Sequence, residues 1–195
     1  MVTNVVNSTA PRGCFGATIG TKIADIKDGT SNTILMSERL KANFGISLAV
    51  AGQYENGVGT AVSVANIINA PNVCLTRSDG RYFLAGVSVK GRFGSLWTDG
   101  QAERVGITTV LPPNAPSCTD DANGNADSVN IILPPSSSHP GGVEVVMGDG
   151  AVRFISSTIN SGNLGLPQPT SGMSPYGVWG ALGSKAGGDA AQLDN

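Results

Sequence analysis

The chain has little charge, few aromatic rings, a single histidine and no long apolar run. Only 13% of its 195 residues are charged, which is too few to solvate long surface helices. Its 27 glycines and 11 prolines point instead to short strands and many turns. Twelve basic against fourteen acidic residues leave a formal charge of −2 with no basic cluster, which speaks against a nucleic-acid partner. The longest apolar stretch, residues 46–51, cannot cross a bilayer, and no charged-then-apolar signal opens the chain. With His139 the only imidazole, and no G-x-S-x-G, H-E-x-x-H or phosphate-loop motif, the sequence reads as a non-enzyme. Cys14, Cys74 and Cys118 contain no C-x-x-C pair, so their spacing makes no zinc site. The length suits a single domain over residues 1–195 with a real core.

What the sequence does have is a hairpin at residues 136–157, the core of a segment running from 131 to 160. Val143, Val145 and Met147 alternate with Glu144, Val146 and Gly148, the period that puts one strand face on a core. Asp149-Gly150 follows, a strong signal for a two-residue type I′ turn. That turn pairs Met147 with Val152, Val145 with Phe154 and Val143 with Ser156. The buried face is then Val143, Val145, Met147, Val152 and Phe154, with Glu144 and Arg153 as diagonal neighbours on the other. His139 stands among Ser136, Ser137, Ser138, Pro140, Gly141 and Gly142 at the entrance. His139 and Asp149 are separated by strand residues at about 3.3 Å each, on the order of 20 Å in all, too far for a catalytic dyad. Asp149 and Gly150 then make the turn, while the His139 ring holds the entrance by bonding nearby backbone or hydroxyl groups.

Around this core, residues 23–27 suit one helical turn ended by Asp28-Gly29, and Thr30, Ser31 and Asn32 are turn and cap formers. Residues 33–38, ending at Glu38, read as a mostly buried strand, with a short helix capped at Ser31 as the other option. The stretch from 40 to 130 reads as a loop-rich insertion. Within it, 62–69 fits a helix better than a strand, 80–91 a loop and strand, and 105–111 a strand stopped by Pro112-Pro113. An edge strand is expected at 15–19 and fraying over the last dozen residues. Trp97 and Trp179 read as core indoles, Trp97 with a ligand groove as the alternative. Asp121, Asn123, Asn125 and Asp127 alternate like the first positions of a calcium loop. Glycine stands fourth rather than sixth, however, and Ile132 occupies the place of the bidentate glutamate, so calcium and a plain polar turn both remain open.

His139 followed by nine residues and Asp149-Gly150 resembles the His-x9-Asp-Gly signature of a bacterial family of prepilin-type surface proteins, filed in some catalogues as family 10 extracellular solute-binding proteins. Further blocks agree in order: residues 23–38 with Asp28, Gly29, Asn32 and Glu38, then 97–100 beginning at Trp97, 111–118, and 176–183 around Trp179. The resemblance implies an α+β, β-rich fold, the antiparallel sheet of a pilin-like head with long Gly/Pro-rich loops. It implies display outside the cell or at its surface, with other pilin-like subunits or copies of itself as partners in a filament or secretion pseudopilus. Family members carry a prepilin cleavage site and an apolar helix ahead of this region, so a truncated or shortened form is expected here. In that setting one disulfide and one spare thiol are expected, with Cys74 and Cys118 paired because they flank one large segment in or beside these blocks. Such a bridge stabilises by about 4 kcal/mol in the chain-entropy model. The alternative is an extracellular solute- or calcium-binding module.

Overall fold

The computed structural model describes residues 11–16 and 20–188. It is a β-rich α+β fold built on two sheets. Two 3-10 turns, Ile23–Asp25 and Thr30–Asn32, precede β1 (Ile34–Ser37). Then come β2 (Phe44–Leu48), β3 (Thr60–Ala61), a 3-10 segment Pro71–Arg77, β4 (Ser88–Gly91) and α1 (Ala102–Val105). The chain closes with β5 (Ser117–Thr119), β6 (Ile131–Ile132), β7 (Gly142–Met147), β8 (Val152–Ser156) and α2 (Gly177–Leu182). One sheet has the order β1-β7-β8 and is antiparallel throughout. The other, β2-β4-β3-β5-β6, is antiparallel except where β3 and β5 run parallel. The segment expected as a loop-rich insertion thus supplies nearly all of a second sheet.

The hairpin forms where the sequence places it, but its turn is one residue longer than expected. Val146 pairs with Val152, Val145 with Arg153 and Val143 with Ile155. Gly150 N–H donates to Met147 O at 3.0 Å and Met147 N–H to Ala151 O at 2.9 Å, so the loop is Gly148-Asp149-Gly150. Of these three only Gly150 takes a left-handed φ, 86°, as in a type I turn followed by a glycine bulge. Gly148 sits so close under the 30–32 turn that a Cβ there would stand 2.8 Å from the Thr30 carbonyl oxygen. Its N–H is spent on Thr33 O at 2.8 Å, which fixes where the loop begins. A one-residue shift turns every return-strand side chain to the opposite face. Ile155 therefore takes the core place expected of Phe154, while Phe154 and Val152 face outward at 49% and 64% exposure. Arg153 lies opposite Val145 and is no neighbour of Glu144.

Each sheet has its own core. Val143, Val145, Met147, Ile155 and Ile34 pack against Trp179, Ala181 and Leu182 of α2. Ala61, Ile67, Phe83, Val89, Leu111 and Ile132 enclose the bridged Cys74 and Cys118, whose Cα atoms are 6.0 Å apart. Trp179 lies in the first core and Tyr176, just before α2, in the second, so this short helix bolts the two together. Trp179 Nε1–H donates to Leu111 O at 2.6 Å and Tyr176 O–H to Leu166 O at 3.0 Å. Burial also pushes the Tyr176 phenol well above its ordinary pKa.

Two expected elements do not form. Residues 62–69 are turns rather than a helix, with Ser63 and Asn66 at φ 57° and 69°. After α1, residues 107–111 run irregularly instead of as a strand. Thr108 N–H bonds Leu133 O at 2.7 Å and Thr108 Oγ1 accepts the Leu133 N–H at 2.9 Å, so the β-branched residues here are buried by single contacts rather than by a ladder. The edge strand expected at 15–19 and the frayed end fall largely on residues 17–19 and 189–195, outside the described ones.

Candidate functional site

The entrance of the hairpin is a small polar knot. Ser137 Oγ accepts the His139 N–H at 3.0 Å and donates to Gly142 O at 2.8 Å. The His139 ring reaches neither backbone nor hydroxyl, as the sequence suggested, but a carboxylate: its Nε2 lies 3.4 Å from Glu38 Oε1. Pairing of β1 with β7 sets this up, because it brings Glu38, one residue beyond β1, beside the start of β7. Glu38 Oε1 also accepts the Glu144 N–H at 3.1 Å, and Glu38 O accepts the Ser136 N–H at 3.1 Å. Two sequence blocks a hundred residues apart therefore meet here. Asp149 sits at the far end of β7, where its Oδ1 accepts the Ala151 N–H at 2.9 Å. The Asp28 block is a turn feeding β1, with Gly29 at φ 97° and Asn32 Nδ2 donating to Asp28 O at 3.3 Å. Its Asp28 carboxylate accepts N–H bonds from Gly187 and Gly188 at 2.6 and 3.0 Å and so ties down the C-terminal segment.

Beside His139 a cleft of about 750 Å³ opens, walled by Pro112, Pro113, Pro116 and Pro140 and floored by Asn56 and Asn114. Asn114, which the sequence did not single out, is its clasp. It holds φ 65°, a left-handed conformation that asparagine tolerates better than most residues. Its Nδ2 donates to Ser157 Oγ at 3.1 Å and its Oδ1 accepts the Ser137 N–H at 3.0 Å. Asn56 is 2% exposed and spends its Nδ2 on Gly80 O and Asn114 O, while its Oδ1 has no hydrogen-bond partner. Arg81 and Glu55 pair across the rim at 2.9 Å.

The Asp/Asn-rich loop wraps a cation that the chain itself provides. Lys90 on β4 is fully buried, with its Nζ 2.9 Å from Glu103 Oε2, 2.5 Å from Asn123 O and 3.3 Å from Ser128 Oγ. Asp121 Oδ1 accepts from Ser128 Oγ at 2.7 Å and from the Asn123 N–H at 2.9 Å. Asn123 Oδ1 accepts the N–H groups of Asn125 and Ala126 at 3.0 and 3.1 Å. The Asp127 carboxylate caps α1 through the Ala102 and Glu103 N–H groups at 2.6 and 3.2 Å, with Arg92 Nη1 3.7 Å away. Asp121, Asn123 and Asp127 are thus turned to separate partners. Among the described residues no group of three or more His, Cys, Asp or Glu is placed to hold a metal ion.

Among the described residues, several apolar groups stand at the surface. Trp97, expected in the core, is 93% exposed at the tip of the 93–100 loop beside the half-exposed Leu96. The loop is pinned at its base, where the Ser95 N–H bonds Arg92 O at 3.2 Å and Arg104 pairs with Asp99 at 2.8 Å, so its tip projects. On the outer face of the first sheet, Met36, Val146 and Val152 stand in one cross-strand row next to Phe154. Along the edge strand β1 lies an apolar cavity of about 970 Å³, lined by Phe15, Met36, Val105 and the buried Cys14. Burial raises the Cys14 thiol pKa.

The chain is a disulfide-stapled, β-rich α+β fold with a β7-β8 hairpin and apolar side chains at its surface. A family model matches residues 1–162 under the name SBP_bac_10, described as "Protein of unknown function (DUF1559)", and the chain belongs to that family. The match ends before the block around Trp179. No curated protein and no solved structure matches the chain.

Proposed function

We propose that this chain is the head of a non-catalytic, pilin-like assembly subunit displayed outside the cell, and that the outer face of the β1-β7-β8 sheet seats an apolar helix. The observation that carries the reading is the row of exposed Met36, half-buried Val146 and exposed Val152, with Phe154 beside it opposite Glu144. A sheet buries an apolar face against another layer, and here α2 covers the inner face alone. Three strands at about 4.8 Å spacing span about 10 Å, the width of one helix. The prepilin-type resemblance names such a helix, and the Cys74–Cys118 bridge suits an oxidising compartment. No helix of the described residues is long and apolar enough to cross a membrane. A non-catalytic role agrees with the site. The one imidazole faces Glu38, and the neighbouring Ser137 Oγ is engaged with the His139 N–H and Gly142 O.

The test is to place a prepilin-type apolar helix ahead of this head and follow assembly by electron microscopy. Filaments or short fibres from the parent, lost in Val152→Lys/Phe154→Lys while that variant melts like the parent, are the expected result. Dispersed heads from the parent, or fibres unaffected by the double substitution, would overturn it.

A further inference from the structure

The molecule carries both a knob and a socket, and among the described residues neither fills the other. The knob is the Leu96–Trp97 tip, with the indole almost wholly in solvent. The socket is the proline-walled cleft beside His139, to which no residue of the 93–100 loop contributes. We propose that Trp97 of one copy inserts into this cleft of a second copy, a head-to-tail contact that deepens the assembly reading above and rests on it.

Shape and bonding chemistry both favour this occupant. An indole is a flat apolar plate with one N–H and no acceptor, whereas proline walls offer apolar rings and carbonyl oxygens but no N–H donors. The fold already satisfies its other tryptophan in the same way, since Trp179 gives its N–H to Leu111 O immediately before Pro112-Pro113. Charge presents no obstacle, because Arg81 on the rim is neutralised by Glu55 and Asp99 beside the knob by Arg104. At about 750 Å³ the cleft has room for an indole together with the Leu96 side chain.

Because Trp97 and the cleft share no residue, one copy can give its knob to a second copy and its socket to a third, which is a heterologous contact. Repeated without ring closure, such a contact builds an open filament rather than a dimer. An aromatic anchor buries about 150–250 Å², far below the ~1,600 Å² of a stable interface, so heads alone should associate only weakly. A second attachment, the helix, would make the contact effectively intramolecular along a filament.

A complementation experiment on the chain as it stands decides the matter. Trp97→Ala removes the knob, and Ser138→Trp, at an exposed position on the cleft rim, fills the socket. By analytical ultracentrifugation at high concentration, the parent should self-associate and each variant alone should stay monomeric. An equimolar mixture of the two should stop at a one-to-one dimer, joining the intact knob of one to the intact socket of the other. Trp97 emission should shift to the blue as the dimer forms. A parent that is monomeric throughout, or a mixture no more associated than its components, overturns the contact. A blue shift on neutral phospholipid vesicles without self-association also overturns it, in favour of a lipid surface. Helix-bearing fibres that persist in Trp97→Ala would remove this contact while leaving the assembly reading intact.

Discussion

At the scale of single residues, magnitudes separate the signature side chains from one another. The His139–Glu38 pair is more than half exposed on the imidazole side, and exposed pairs contribute about 0–1 kcal/mol. His139→Ala should therefore lower the melting temperature only slightly, at roughly 2–4 °C per kcal/mol for a chain of this size. Glu38→Ala also strips the Glu144 N–H of its acceptor, which adds about 1–3 kcal/mol, so it should melt clearly below His139→Ala. Equal melting of the two in calorimetry would place the weight on the imidazole instead. Cys14 should be the one titratable thiol in unfolded, unreduced protein, and burial should make it slow to alkylate in the native state. Asp79 accepts the Tyr82 and Arg81 N–H groups, which hold its carboxyl below the ordinary value. Its contribution to stability is therefore present above the ordinary carboxylate pKa and lost as pH falls through the lowered one. Asp79→Asn should then flatten the acid limb of stability against pH. The cysteine pairing and the turn at Asp28 were legible in the sequence because both are local or named by flanking blocks. The partner of His139 was not, since only the β1–β7 register brings Glu38 to it.

At the scale of elements, the hairpin shows how far a pattern reaches. Alternation located β7 and Asp149-Gly150 located the turn, yet whether the loop holds two residues or three depends on the packing of Gly148 beneath Thr30. That contact is long-range, and the register of the return strand that goes with it puts Phe154 at the surface. The alternation of Asp121, Asn123, Asn125 and Asp127 likewise says that oxygens will be presented but not to what. Lys90 lies in an apolar run of a distant strand, and nothing in the loop announces it. Removing one member of the buried Lys90–Glu103 pair should cost about 3–5 kcal/mol, and Lys90→Met/Glu103→Leu together should cost less than the sum of the two, though Arg92 and the Ser128 N–H then still lose the carboxylate. A double-mutant cycle in urea measures the coupling, and additive losses would show that the pair is not one unit. With Lys90 in place, we expect calorimetry with calcium to give the same flat trace for the parent and for Asp121→Ala/Asp127→Ala. Heat in the parent alone would restore a calcium site.

At the scale of the whole molecule, composition spoke for strands and turns over long helices, and the β-rich α+β architecture follows it. It did not reveal that residues 40–130 supply nearly a sheet and a core of their own, because strands as short as Thr60–Ala61 leave no readable period. Nor did it show that Trp97 stays outside, because exposure depends on what lies beneath a loop rather than on the loop itself. The central claim is that the outer face carrying Met36, Val146, Val152 and Phe154 is a seat for an apolar helix. The most direct measurement is maleimide labelling of Val152→Cys in a Cys14→Ala background, compared between this chain and the form carrying a prepilin-type helix. The account predicts rapid labelling of the chain alone and strong protection in the helix-bearing form, with exposed control positions such as Ser138→Cys labelling alike in both. Equal labelling of Val152→Cys in the two forms would contradict it.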